Sequence, residues 1–351
     1  MTSFPKRKCL MIGAGGMASA WIRNFFPRFR QRMEIVGLVD INPDALRESG
    51  DFLNLEESKR FTDMAIAFEK VDADFCTIVI PPAFHRDAVR LAAGKGMNIL
   101  SEKPIADSWE ACLDIVKMVR TSGVKMQVVQ NYRYTSRILT VKEVLSSDRL
   151  GRVNYIIGRF ADDYRQRGAW GAFRHEIPHS LLVEGAIHHF DQIRNLAGAD
   201  CEEIAGWEWK PYWQQSFDGE CCGLYTAKMV NGVMAQYEGN GLEGGQANGW
   251  HHEFYRVECE LGSVEVGNDN VVRVYERNHN LRMEEIPNVR PTFEGHNGII
   301  DQFLNWLEDA PEPETVITDN IKSAAMLFSA IQASQSGSLV NVAEMVTEAM
   351  S

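Results

Sequence analysis

The run Lys8-Cys9-Leu10-Met11-Ile12-Gly13-Ala14-Gly15-Gly16-Met17-Ala18 limits what this chain can fold into more than any other stretch. A short strand pattern leads directly into Gly-x-Gly-x-x-Ala, and a helical pattern through Trp21, Ile22, Phe25 and Phe26 follows. Gly13 permits a tight turn, Gly15 lets backbone approach a pyrophosphate, and the small Ala18 lets helix pack on strand. The start of such a helix offers N–H groups and partial positive charge to phosphates. Glycines alone would mean little, but the strand before them and the helix after them are the context this motif requires. The cradle is expected to comprise Gly13, Gly15, Gly16, Met17 and Ala18.

Glu34–Val39 is the next strand and ends in Asp40. An acidic residue at this distance from the glycines is placed to bind the adenosine ribose hydroxyls. Asp40 would also repel a 2′-phosphate, and no arginine follows in Ile41-Asn42-Pro43, which favours NAD over NADP. Asp40 also suits a helix N-cap before Pro43, and the two roles are compatible. Phe75–Ile80 is an apolar strand stopped by Pro81-Pro82. Phe84–Ala93 reads as a helix with His85 in its first turn, placed either to touch the cofactor or to cap. Asn98–Ser101 is a strand leading into Glu102-Lys103-Pro104. Pro104 disfavours the helical region for Lys103, so the lysine is presented from an extended turn. That turn lies at the carboxyl end of a strand, where open α/β sheets bind ligands. Ser108–Arg120 is a helix and Met126–Val129 a further strand. The alternation predicts a parallel, doubly wound sheet over residues 1–130.

After Asn131 the pattern changes. Ile138–Leu145 is a helix and Arg152–Phe160 a strand, followed by a polar, aromatic, arginine-rich loop over 161–178 with Arg165, Arg167, Trp170 and Arg174. Strands from Cys201 to Ile286 follow one another without helices, and Asn231-Gly232 marks a hairpin. Residues 131–351 are therefore expected to form an α+β domain with a large open, mostly antiparallel sheet. The closing helices within 295–336 are candidates to pack back on the first domain. On the helix Leu181–Ala197, Glu184, His188, Asp191 and Asn195 share one face by their spacing. Such a face is either solvated or carries an imidazole general base between orienting carboxylates. His189 falls near the apolar flank and reads as structural. His251-His252 beside Trp250 suit a pocket lining or a strand surface. No metal is expected, because these histidines lack paired ligand spacing with an added carboxylate.

Charge sharpens the picture. Asp and Glu number 48 against 36 Lys and Arg, giving a net charge of −12. Nucleic acid and anionic membranes are poor partners for such a chain. No apolar run of 18 or more residues suggests a membrane span. The seven cysteines include no Cys-x-x-Cys pair and read as reduced cytoplasmic thiols.

Taken together, Gly13–Ala18, Pro81-Pro82-x-x-His85, Glu102-Lys103-Pro104, Asn131-Tyr132-Arg133, the Glu184–Asp191 run and the Ser323–Val342 tail resemble the glucose-fructose oxidoreductase / inositol dehydrogenase / rhizopine-catabolism family (Gfo/Idh/MocA) over nearly the whole chain. The resemblance implies a Rossmann domain, a second domain whose open sheet serves homodimer or homotetramer formation, and hydride exchange between NAD and a sugar, cyclitol or related polyol. The family's lysine falls on Lys103 and its histidine on His188, expected to meet at the reacting oxygen. The acidic residue four before that histidine is usually Asp and here is Glu184. Pro82, His85, Glu102 and Lys103 join the glycine loop and Asp40 as expected cofactor neighbours. Tyr132, Arg133, Trp170, Arg174, Asp191 and His251 are expected pocket residues. Relatives also include non-catalytic NAD sensors and NAD-assisted glycosidases, so those readings stay open.

Overall fold

The computed structural model describes residues 6–168, 171–245, 248–278 and 280–351. They form two compact units. One consists of the chain up to Gln130 together with His296–Ile321, the other of Asn131–Gly295 together with Lys322–Ser351.

The first unit is built on strands β1 (Arg7–Ile12), β2 (Met33–Val39), β3 (Arg60–Phe61), β4 (Phe75–Ile78), β5 (Asn98–Ser101) and β6 (Met126–Val128). All pair in parallel, in the order β3-β2-β1-β4-β5-β6. The chain starts at the middle and winds outward in both directions, which puts the order reversal between β1 and β4, where such sheets bind dinucleotides. β3 and the helix Met64–Lys70 form a unit that the sequence pattern does not mark, because a two-residue strand is too short to show a period. Local chemistry sets the helix starts. Asn42 and Asp63 each accept two backbone N–H bonds from the first turns of their helices, and Ser108 caps the helix Trp109–Ser122. That helix ends at Gly123 in the left-handed region. The helix Gly295–Leu307 brings Phe303 against Phe75, with ring centroids 5.3 Å apart. Arg32 pairs there with Asp301 and Glu308.

The second unit contains β7 (Val153–Ala161), β8 (Cys201–Trp209), β9 (Cys222–Met229), β10 (Met234–Asn240), β11 (Phe254–Cys259), β12 (Gly262–Val266), β13 (Val272–Asn278), β14 (Asn280–Ile286) and β15 (Val340–Asn341). They make one nine-stranded sheet in the order β14-β13-β12-β11-β7-β10-β9-β8-β15. Every pairing is antiparallel except β7 with β10. One face buries Ile156, Phe160, Ile204, Tyr225, Tyr237, Tyr255, Val257, Val264 and Val274. Helices Ser136–Ser146 and Ile187–Ala197 of the same unit contact this sheet, so the apolar face does not await a partner. The opposite face mixes charge with a smaller apolar group: Trp207 and Leu224, cross-strand partners, are 62% and 45% exposed. No helix among the described residues is long and apolar enough to cross a membrane.

Candidate active site

In the first unit the turn after β1 has the shape its glycines require. Gly13 has φ +109°, and a Cβ there would lie 2.2 Å from the Val79 carbonyl oxygen. Only glycine is accommodated. Ala18, packed beneath, is 1% exposed. The helix that starts at Gly16 has no side-chain cap, as the start of an anion-binding helix requires. It continues through a wider π turn (Trp21–Phe25) and a 3-10 turn (Phe26–Phe29). Met17 is exposed at the mouth of the loop. Asp40 closes the loop from the side. Its Oδ2 accepts from Ala14 N at 2.7 Å and Gly15 N at 3.2 Å, and its Oδ1 from Asn42 N at 2.8 Å. A narrow backbone cradle, uncapped amides and a flanking carboxylate fit the pyrophosphate and ribose of NAD.

The carboxyl ends of β4 and β5 differ from the expectation at two residues. His85 is fully buried, and its ring nitrogens face backbone: Nδ1 lies 3.1 Å from the Pro104 and Ile105 oxygens, Nε2 2.9 Å from that of Ile80. Burial lowers its basicity, against the pull of those carbonyls. His85 therefore braces the turn that carries Lys103 and does not present its ring as a cofactor ligand. Glu102 is likewise engaged. It accepts from Trp21 Nε1 at 2.8 Å and lies 3.5 Å from His296 Nε2. Burial works to raise its carboxyl, but His296, Lys103 and Trp21 outweigh that and hold it below the usual range. His296 is itself stacked on Phe25 at 4.5 Å. Pro82 is buried beside this edge, and half-buried Lys103 precedes a cis peptide to Pro104.

In the second unit the polar side of the segment 181–197 is not solvated. Residues 181–194 are all buried, with Glu184 at 2%, His188 at 5% and Asp191 at 0% exposure. The segment opens as a π turn (Leu181–Ala186) before becoming regular helix. Tyr132 stacks on His188 with centroids 4.3 Å apart and planes 9° from parallel, and Trp250 meets that imidazole edge-on at 6.2 Å. His251 is exposed, with its ring 4.5 Å from Tyr132. Arg174 Nε donates to Glu184 Oε2 at 2.8 Å.

Two expected pocket residues turn out to be engaged with each other. Arg133 grips both oxygens of Asp191 at 2.7 and 2.8 Å, and Ser323 adds a third bond at 2.7 Å. Asp191 thus organises a buried ion pair and does not orient the imidazole one turn earlier. Trp170 lies outside the described residues. No pattern along the chain marked Glu253. This fully buried carboxylate pairs with Arg137, receives the His251 N–H at 2.9 Å and lies 3.8 Å from His189 Nε2. His189 Nδ1 in turn meets Tyr237 Oη at 2.8 Å, which makes His189 part of the framework under His188.

Comparison with known proteins supports the same two-part fold. Residues 7–130 match the GFO_IDH_MocA family model, described as "Oxidoreductase family, NAD-binding Rossmann fold". Residues 138–265 match the "GFO/IDH/MocA C-terminal domain". The chain is 39% identical over 347 residues to the uncharacterized protein y4oX of Sinorhizobium fredii, covering 96% of each. It is 26% identical over 254 residues to the 1-carboxy-3-chloro-3,4-dihydroxycyclohexa-1,5-diene dehydrogenase of Comamonas testosteroni, 70% of this chain and 62% of that one. The fold superposes on an oxidoreductase from Agrobacterium radiobacter, solved with NAD+, L-tartaric acid and magnesium. Its TM-score is 0.86 at 19% identity, over 97% of this chain and 100% of that one.

Proposed function

The chain belongs to the Gfo/Idh/MocA family of NAD-binding oxidoreductases, and on that premise we propose that it acts on a secondary alcohol of a sugar, cyclitol or related polyol. NAD, when bound, supplies the hydride acceptor. His188 takes the hydroxyl proton, and Lys103 hydrogen-bonds the same oxygen and stabilises the charge that develops on it. Proton and hydride leave one alcohol group, so base and amine must serve one oxygen. Glu184, held by Arg174, positions a substrate hydroxyl, and Tyr132 fixes the plane of the imidazole.

The observation that carries this reading is the burial of His188 beneath Tyr132 and beside Trp250, where an unused histidine would be a costly core residue. The reading also draws on one relative, whose name makes it a dehydrogenase of a 3,4-dihydroxy ring compound. Asp40 beside the glycine loop favours NAD over NADP by charge repulsion with a 2′-phosphate. Its seven cysteines suit work in the reducing cytoplasm.

The test is a panel of sugars, inositols and sugar acids screened for NAD reduction. On the substrate so found, His188→Ala should lower turnover by about 10²–10⁴-fold with NAD affinity unchanged. Lys103→Met should remove most turnover as well. Near-normal turnover in His188→Ala would refute the role given to the imidazole. Release of sugar from a glycoside without net NADH would point instead to the NAD-assisted glycosidase.

A further inference from the structure

Within the second unit three ligand-type side chains converge outside the residues assigned to hydride transfer. His179 precedes the segment Leu181–Ala186, Glu208 lies on β8, and Glu220 stands just before β9. One ligand atom from each lies within 4.8 Å of the other two. His179 Nδ1 is 2.5 Å from Glu208 Oε1 and 3.4 Å from Glu220 Oε2. The second Glu208 oxygen, Oε2, is buried and meets no hydrogen-bond partner among the described residues, although the Glu208 side chain is only 2% exposed. Neither carboxylate pairs with a lysine or arginine among the described residues; His179 is the one basic side chain on both. A buried carboxylate oxygen without a donor is costly, and a cation removes that cost. His179 and Glu220 are 21% and 34% exposed, so the cluster opens to solvent on one side.

We propose that His179, Glu208 and Glu220 bind a divalent transition-metal ion, zinc before manganese. One imidazole and two carboxylates form a donor set that suits zinc, whereas magnesium prefers oxygen alone. Zinc bonds of about 2.0–2.1 Å place tetrahedral ligand atoms roughly 3.3 Å apart. The separation of His179 Nδ1 from Glu220 Oε2 already has that length. The contact between His179 and Glu208 is a hydrogen bond, which metal binding replaces as the imidazole gives up its Nδ1 proton. Water completes the coordination on the open side. The ion is structural. The His179 carbonyl accepts from Val183 N at 2.9 Å, so the metal would clamp the start of the segment bearing Glu184 and His188 to two strands of the sheet.

Chelator-treated full-length protein titrated with zinc chloride at neutral pH should take up one ion per chain, and its melting temperature should rise with zinc. Glu208→Gln and His179→Gln should each weaken uptake by more than the ~10–100-fold that loss of a supporting contact costs. The solvent-accessible Glu220→Gln provides the same loss if the buried variant folds poorly. His252→Ala should bind like the unaltered chain, and manganese chloride should bind more weakly than zinc. Absence of saturable uptake would overturn the proposal. So would zinc binding that survives in folded Glu208→Gln and Glu220→Gln, since the ion would then sit elsewhere.

Discussion

Glu253 lies fully buried between Arg137 and His189, with its carboxyl held down at about 2. Burial alone would raise it, and the nearby His189 and the charge of Arg137 reverse the sign. An unfolded glutamate titrates near ~4.3, so between that pH and about 2 the unfolded chain binds the extra proton. The stabilisation is complete above the unfolded value and is lost as pH falls toward the folded one. Thermal melts from neutral to acid pH should show the unaltered protein losing stability in this window, and Glu253→Gln losing less there because it has already lost the pair at neutral pH. Asp191→Ala removes the carboxylate that the buried Arg133 grips with two bonds and should cost about 3–5 kcal/mol in denaturant unfolding. A loss of turnover with unchanged stability would instead return Asp191 to the substrate.

The turn after β1 and the strand end at Asp40 act as one element. Gly13→Ala forces a Cβ into the Val79 carbonyl at a positive φ, and should both weaken NAD binding and destabilise the fold by about 3 kcal/mol. Calorimetry with NAD and thermal melts measure the two losses. Asp40→Ser should narrow the preference for NAD over NADP. Because Asp40 also accepts the Ala14 and Gly15 N–H groups, it should loosen the loop and weaken both cofactors somewhat. Equal or tighter binding of NADP than NAD to the unaltered protein would contradict the charge argument. The segment 181–197 shows the limit of reading an element alone. Its wheel separates polar from apolar residues correctly, but both sides are buried, the polar one against Arg133, Arg174, Tyr132 and Ser323.

At the scale of the whole molecule, the nine-stranded sheet covers its apolar face with its own helices, so an interface through the sheet would use the other face. Trp207, Leu224 and the nearby Trp209 are the large apolar groups exposed on β8 and β9 there. Exposed aromatic and aliphatic groups gathered in this way mark association surfaces. We expect a homodimer or homotetramer by light scattering at micromolar concentration, and a lower mass for Trp207→Glu. A monomeric mass for the unaltered protein would remove this expectation.

The sequence alone determined the nucleotide-binding half in most of its detail, because its signals are local. A glycine forced by positive φ, a strand running into a helix and an acidic residue at the end of the next strand each lie within a few positions of their cause. It also supplied the run of uninterrupted strands that become the second sheet. What it left undetermined depends on neighbours far along the chain. Periodicity did not tell whether Glu184, His188 and Asp191 face water, since Tyr132, Arg133 and Arg174 reach them only through the fold. His85 had two readings until three backbone carbonyls surrounded its ring. Glu253 was unmarked because its partner Arg137 is 116 positions away. Only the tertiary structure brings His179, Glu208 and Glu220 together, since the sheet register, not any spacing in the sequence, places β8 and the entry to β9 beside the turn at His179.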